Sequence, residues 1–178
     1  MQLYNTEPFY KKLKPFYGSF ILTPLMLYFA LNRGKFFFID WFNLLIHEGG
    51  HGVFMFFGRY IYTMGGTLMQ IILPTLFIVY CIRFNKKFSA QLAIIWLGEN
   101  LINISVYAAD ARAHKLPLLG GKNVYHDWTY LLNTIGIIQY DIAVGYFFYC
   151  SAIGCFIIAF LLPLFLSNRS NVTVLDDL

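Results

Sequence analysis

Long apolar runs separated by short basic breaks constrain this chain more than any other feature. A helix that crosses a bilayer needs about 20 mostly apolar residues. Five stretches come near or exceed that length: 16–32, 36–58, 63–84, 88–112 and 139–166. The breaks are Asn32-Arg33-Gly34-Lys35, Gly58-Arg59-Tyr60, Arg83-Phe84-Asn85-Lys86-Lys87 and a longer connection from Lys115 to about Gln139. Only 12% of residues are charged and 58% are hydrophobic, whereas soluble domains carry about 25% charged residues. The expected fold is therefore all-α: a polytopic membrane bundle of about five transmembrane helices, forming one integral membrane domain over residues 1–178.

The formal charge of +4 comes from Lys and Arg gathered at the ends of the apolar runs, as at Lys11-Lys12, Arg33, Lys86-Lys87 and Arg112. That is the flanking pattern of membrane spans, so lipid and not nucleic acid is the expected partner. Basic residues on alternate sides of five spans nearly balance, which leaves the orientation open. The basic start followed by the run from Phe16 to Leu31 reads as a retained first span, because no small-x-small cleavage site follows it. A multi-pass protein of a bacterial inner membrane is the expected setting. Cys81, Cys150 and Cys155 all lie in apolar stretches and read as small buried hydrophobes.

Inside the second run stands His47-Glu48-Gly49-Gly50-His51. Ionisable side chains in a membrane segment are costly and usually mark function. On a helix, residues four apart lie about 40° apart and one turn removed, so His47 and His51 can reach one metal ion from the same face. Glu48 projects beside them, near enough to address a water without binding the metal. This is the HExxH arrangement, in which two histidines hold zinc and the glutamate acts as general base. Gly49, Gly50 and Gly52 weaken the helix; they suit close helix packing or room for water and substrate backbone.

A hydrolytic zinc site keeps three protein ligands and one open position. In the fourth run, Asn100, Asn103, Tyr107, Asp110 and His114 follow spacings of 3, 4, 3 and 4, an arc of about 80° on a helix. Such a polar stripe should face the bundle interior, where the His47 and His51 face must also point. Asp110, at the end of the fourth span, is the first choice for third ligand, with an ion pair to Arg112 as its alternative. His126 and Asp127, in the long connection 115–139, come next; the plainer reading of this triplet with Trp128 is an interface anchor. His114 follows. Gln70, Asn100, Asn103 and Tyr107 are candidates for lining the site or touching substrate.

The HExxH helix, the glycine-rich following span at Met64-Gly65-Gly66-Thr67, and the Asn-then-Asp segment on a later span resemble the site-2 protease class of intramembrane zinc metalloproteases. The resemblance covers roughly residues 36–121. It implies His47, His51 and Asp110 as zinc ligands and Glu48 as the group that activates water. The family's aspartate sits in a Leu-Asp-Gly context, whereas here it stands in Ala-Ala-Asp-Ala-Arg, with Leu-Pro-Leu-Leu-Gly-Gly six residues on. The implied function is hydrolysis of peptide bonds, in or near the membrane, in a membrane-protein or peptide substrate. The alternative is a zinc-binding membrane protein with a structural, regulatory or transport role. A di-iron lipid-modifying enzyme needs many more histidines than the four present.

Overall fold

The computed structural model describes residues 10, 13–116 and 125–166. The described residues form helices and no strand: α1 Tyr17–Leu31, α2 Phe38–Phe54, α3 Gly58–Arg83, α4 Lys87–Ala109, a short α5 Asp127–Thr134 and α6 Asp141–Leu166.

Local chemistry sets the boundaries. Past α1, Gly34 takes a positive φ of 85°, open to a residue without Cβ. The side chain of Asp40 accepts the backbone N–H of Phe37 and so caps α2. A 3-10 turn over Met55–Phe57 leads to Gly58, whose φ of 82° turns the chain back into α3. Asn85 makes the next corner at φ 54°. His126 caps α5, its Nδ1 accepting from the backbone N–H of Thr129 at 3.4 Å.

Helix α4 is the centre of the bundle and has the most buried positions. α6 runs antiparallel to it, with Phe156 over Gly98 and the backbone of Ser105 and Ala109 against Gly145. α1 is antiparallel to α6, the Ser19 hydroxyl donating to Phe160 O at 2.8 Å and the Tyr149 hydroxyl to Ala30 O at 2.9 Å. α3 is antiparallel to α4, since Gln70 bonds Asn100 and Phe77 meets Trp96.

These contacts settle where α2 goes. At the end of α1, Arg33 donates to the hydroxyl and the carbonyl of Ser105, near the last turn of α4. The start of α3 also lies at that end, because Arg59 covers the ring of Tyr130 in α5, which follows α4 in the chain. α2 therefore enters and leaves on the same end of the bundle. Its first turns reach inward to Trp96, on which Phe42 packs at 5.9 Å.

Among the described residues, three helical stretches are long and apolar enough to cross a membrane: Phe38–Arg83, Lys87–Ala109 and Ile138–Leu166. Five separate spans were expected. The difference arises because the second and third apolar runs form one stretch bent at Gly58, while α1 is only 15 residues long.

The polarity of the bundle is inverted relative to a soluble protein. Leu31, Phe38 and Phe56 are each at least 80% exposed, whereas Asn43, Gln70, Glu99 and Asn100 are at most 6% exposed. An apolar exterior around hydrogen-bonded polar side chains is stable where lipid is the solvent.

Candidate metal centre

α2 presents Asp40, Asn43, His47 and His51 on one face, at spacings of 3, 4 and 4. The two helices carrying this site touch through glycines. A Cβ on Gly50 would lie 2.3 Å from Gly65 O, and one on Gly66 would lie 2.5–2.6 Å from three ring atoms of His47. No real atom pair tolerates such distances, so α2 and α3 approach this closely only with hydrogen at these positions. Gly49 and Gly52 have nothing within 4 Å of an added Cβ, and neither lines the cavity beside the histidines.

Asp127 Oδ2 is 3.0 Å from His47 Nε2 and 3.3 Å from His51 Nε2, and the three ligand atoms lie within 4.8 Å of one another. Ligand bonds of about 2.0–2.1 Å to zinc imply tetrahedral edges of about 3.4 Å. The group fits a metal of that kind. The outward nitrogens are held too: His47 Nδ1 is 3.0 Å from Gln70 Oε1, and His51 Nδ1 donates to Tyr62 O at 2.9 Å. Metal-binding histidines are commonly fixed in this way, with the second ring nitrogen on a carbonyl oxygen.

Burial alone would raise the carboxyl of Asp127. The hydrogen bonds with His47 and His51 outweigh burial and hold it below its ordinary range. Its backbone N–H donates to the Tyr107 hydroxyl at 3.2 Å, and the Tyr107 ring stands 5.9 Å from that of His47. Tyr107 thus braces both sides of the group. Glu48 is exposed and opens onto a cavity of about 970 Å³, which His47, His51, Tyr62, Gln70, Tyr107 and Asp127 also line.

Asp110, the first choice for third ligand, is elsewhere. Its oxygens accept the backbone N–H groups of Lys115 at 2.9 Å and Leu116 at 3.0 Å, fastening the chain that leaves α4. The expectation assumed a helix running through residue 112, but α4 ends at Ala109, which takes Asp110 off the polar stripe. Asp127 is the carboxylate that stands against both histidines. His126 faces the other way, its Nε2 3.7 Å from Asp110 Oδ2, and burial lowers its pKa against the opposing pull of Asp110. His114, at φ 48°, stacks on His126 and places Nε2 2.8 Å from Thr129 Oγ1.

Gln70 touches His47, Asn100 is wholly buried behind it, and Asn103 donates to Glu99 and Asp40, each at 2.6 Å. Asn43, Trp96 and the Tyr62 carbonyl escaped the reading of the sequence. The first stands one turn before His47 on the same face, a signal the sequence does carry. No protein-family model matches the chain, and no curated protein or solved structure is significantly similar to it.

Proposed function

We propose that the protein is a membrane-embedded zinc metalloprotease of the site-2 protease type, with His47, His51 and Asp127 as ligands and Glu48 as general base. One observation carries the reading. Two imidazole nitrogens stand 3.0 and 3.3 Å from one carboxylate oxygen on the wall of a cavity, with a fourth ionisable side chain, Glu48, lining the same cavity. Three ligands leave the vacant position that a hydrolytic site needs and a purely structural one lacks.

Bound zinc would supply Lewis acidity and lower the pKa of water to about 7. Glu48 takes a proton from the attacking water and returns it to the amine nitrogen as the C–N bond breaks. The oxygen of that water ends in the new carboxyl group. Asp127 and the Tyr62 and Gln70 oxygens keep both imidazoles aimed. A helical substrate is internally hydrogen-bonded, so it enters the cavity locally unwound.

In a cell membrane, α3, α4 and α6 would cross alternately, with α2 inserted from one face. Tyr62 is four residues into α3, about 6 Å along its axis, so the centre lies near an interface that water reaches. Substrates would be membrane proteins or peptides with an unwound segment at that depth. The test is purified protein with a fluorogenic peptide or an unwound membrane segment. Glu48→Gln should keep zinc and lose cleavage; undiminished cleavage by that variant would remove Glu48 from the mechanism.

A further inference from the structure

We infer that Trp96, through its indole N–H and its backbone carbonyl, keeps a hydrogen on Nδ1 of His47 and so leaves Nε2 for the metal, acting through a one-way string of three amides that makes Asn43, Asn100 and Gln70 positioning residues of the metal centre. The inference rests on the metal reading above and adds what fixes its first ligand.

Each link follows from the donor and acceptor chemistry of the one before. An indole N–H can only donate. Trp96 Nε1 lies 2.8 Å from the Asn43 side chain, so the atom facing it is Oδ1, and Asn43 Nδ2 points the other way, to Glu99 Oε2. A backbone carbonyl can only accept. Trp96 O lies 3.0 Å from the Asn100 side chain, so that atom is Nδ2, which also donates to Asn43 Oδ1 at 3.2 Å. Asn100 Oδ1 must then face Gln70, and it accepts from Gln70 Nε2 at 3.2 Å. That leaves Gln70 Oε1 for His47 Nδ1, 3.0 Å away.

An amide oxygen cannot donate, so Nδ1 of His47 keeps a hydrogen, and Nε2 is the nitrogen that faces Asp127, where it holds a second proton or a cation. Amide orientations are ordinarily assigned by optimising a network; here Trp96 fixes them at two points. Turning any one amide over would set donor against donor or acceptor against acceptor in a buried string, at a cost of about 1–3 kcal/mol for each group left unmatched. At the far end Glu99 accepts from both Asn43 and Asn103, and Asp40 accepts from Asn103, so the string terminates in acceptors.

The experiment uses the full chain in detergent or nanodiscs, labelled with ¹⁵N-histidine. The His47 signals are assigned by their loss in His47→Gln. In metal-free wild-type protein the ring shifts should report hydrogen on Nδ1, with Nε2 also protonated against Asp127, and Gln70→Met and Asn100→Leu should move the population toward a ring protonated at Nε2 alone. Zinc affinity, read by competition with a chromophoric chelator, should fall about 10- to 100-fold in Gln70→Met. Gln70→Glu should restore most of it, because a protonated carboxyl offers a carbonyl oxygen to His47 and an O–H to Asn100. Wild-type protonation and wild-type affinity in both Gln70→Met and Asn100→Leu would overturn the inference. If wild-type protein binds no zinc, the metal reading fails while the tautomer measurement still decides this one. If Gln70→Met does not fold, Asn100→Leu, which removes the oxygen that orients the Gln70 amide, decides alone.

Discussion

His51 Nδ1 donates to the backbone carbonyl of Tyr62 at 2.9 Å, and this bond determines what can stand between His51 and Asp127. With Nδ1 protonated, Nε2 faces a carboxylate oxygen 3.3 Å away. Either a second proton or a metal cation must sit between them, since two lone pairs do not attract. The same holds for His47. A pair of imidazoles converging on one carboxylate oxygen is therefore held together by protons on both rings or by a cation that takes their place.

The first expectation separates the two aspartates. Asp127→Ala should abolish stoichiometric zinc binding, measured by elemental analysis after gel filtration. Asp110→Ala should retain the metal and instead lower the melting temperature, because the N–H groups of Lys115 and Leu116 lose their acceptor. A buried group left without a partner costs about 1–3 kcal/mol. Metal lost from the Asp110 variant and kept by the Asp127 variant would reverse the assignment.

Much of this site was legible in the sequence because helical periodicity is reliable within a helix. His47, Glu48 and His51 keep the relation that their spacing dictates, and Asn100 and Asn103 face inward as their stripe requires. Periodicity fails at a helix end. Nothing in Ala-Ala-Asp-Ala-Arg announces that the hydrogen-bond ladder stops at Ala109, so the stripe was carried past the helix end to Asp110 and His114. Asp127 comes from a connection whose path depends on tertiary contacts with Tyr107, and spacing carries no information about that. The bend at Gly58 was visible as a break. That α2 returns to the end it came from was not, because hydropathy measures length and polarity but not direction.

Acid should release the metal with a defined stoichiometry. Ligands bind zinc only when deprotonated, and Asp127 is held below the usual carboxylate range by its two histidines after burial is overcome. The protons that compete on acidification are then those of the imidazoles. Affinity should weaken as pH falls, the slope of log Kd against pH approaching about two protons per zinc. A slope near zero between pH 5 and about 7, the range where histidine ordinarily titrates, would be incompatible with two imidazole ligands.

Two glycines on facing helices should respond oppositely to the same methyl group. Gly49→Ala adds a Cβ with nothing within 4 Å and improves helix propensity by about 1 kcal/mol, so the variant should bind zinc normally and melt no lower than wild type. Gly66→Ala sets its Cβ 2.5 Å from His47 Cε1 and Nε2 and 2.6 Å from Nδ1. Relief requires either that α3 withdraw from α2 or that the imidazole rotate. Withdrawal breaks the Gly50 to Gly65 contact, and rotation takes Nε2 from Asp127 and Nδ1 from Gln70. Both routes separate the ligands, so zinc affinity should fall even where circular dichroism still reports a folded helical protein. Equal zinc binding by the two variants would mean that the His47 ring does not occupy the hollow above Gly66, and the geometry of the centre would have to be drawn again from there.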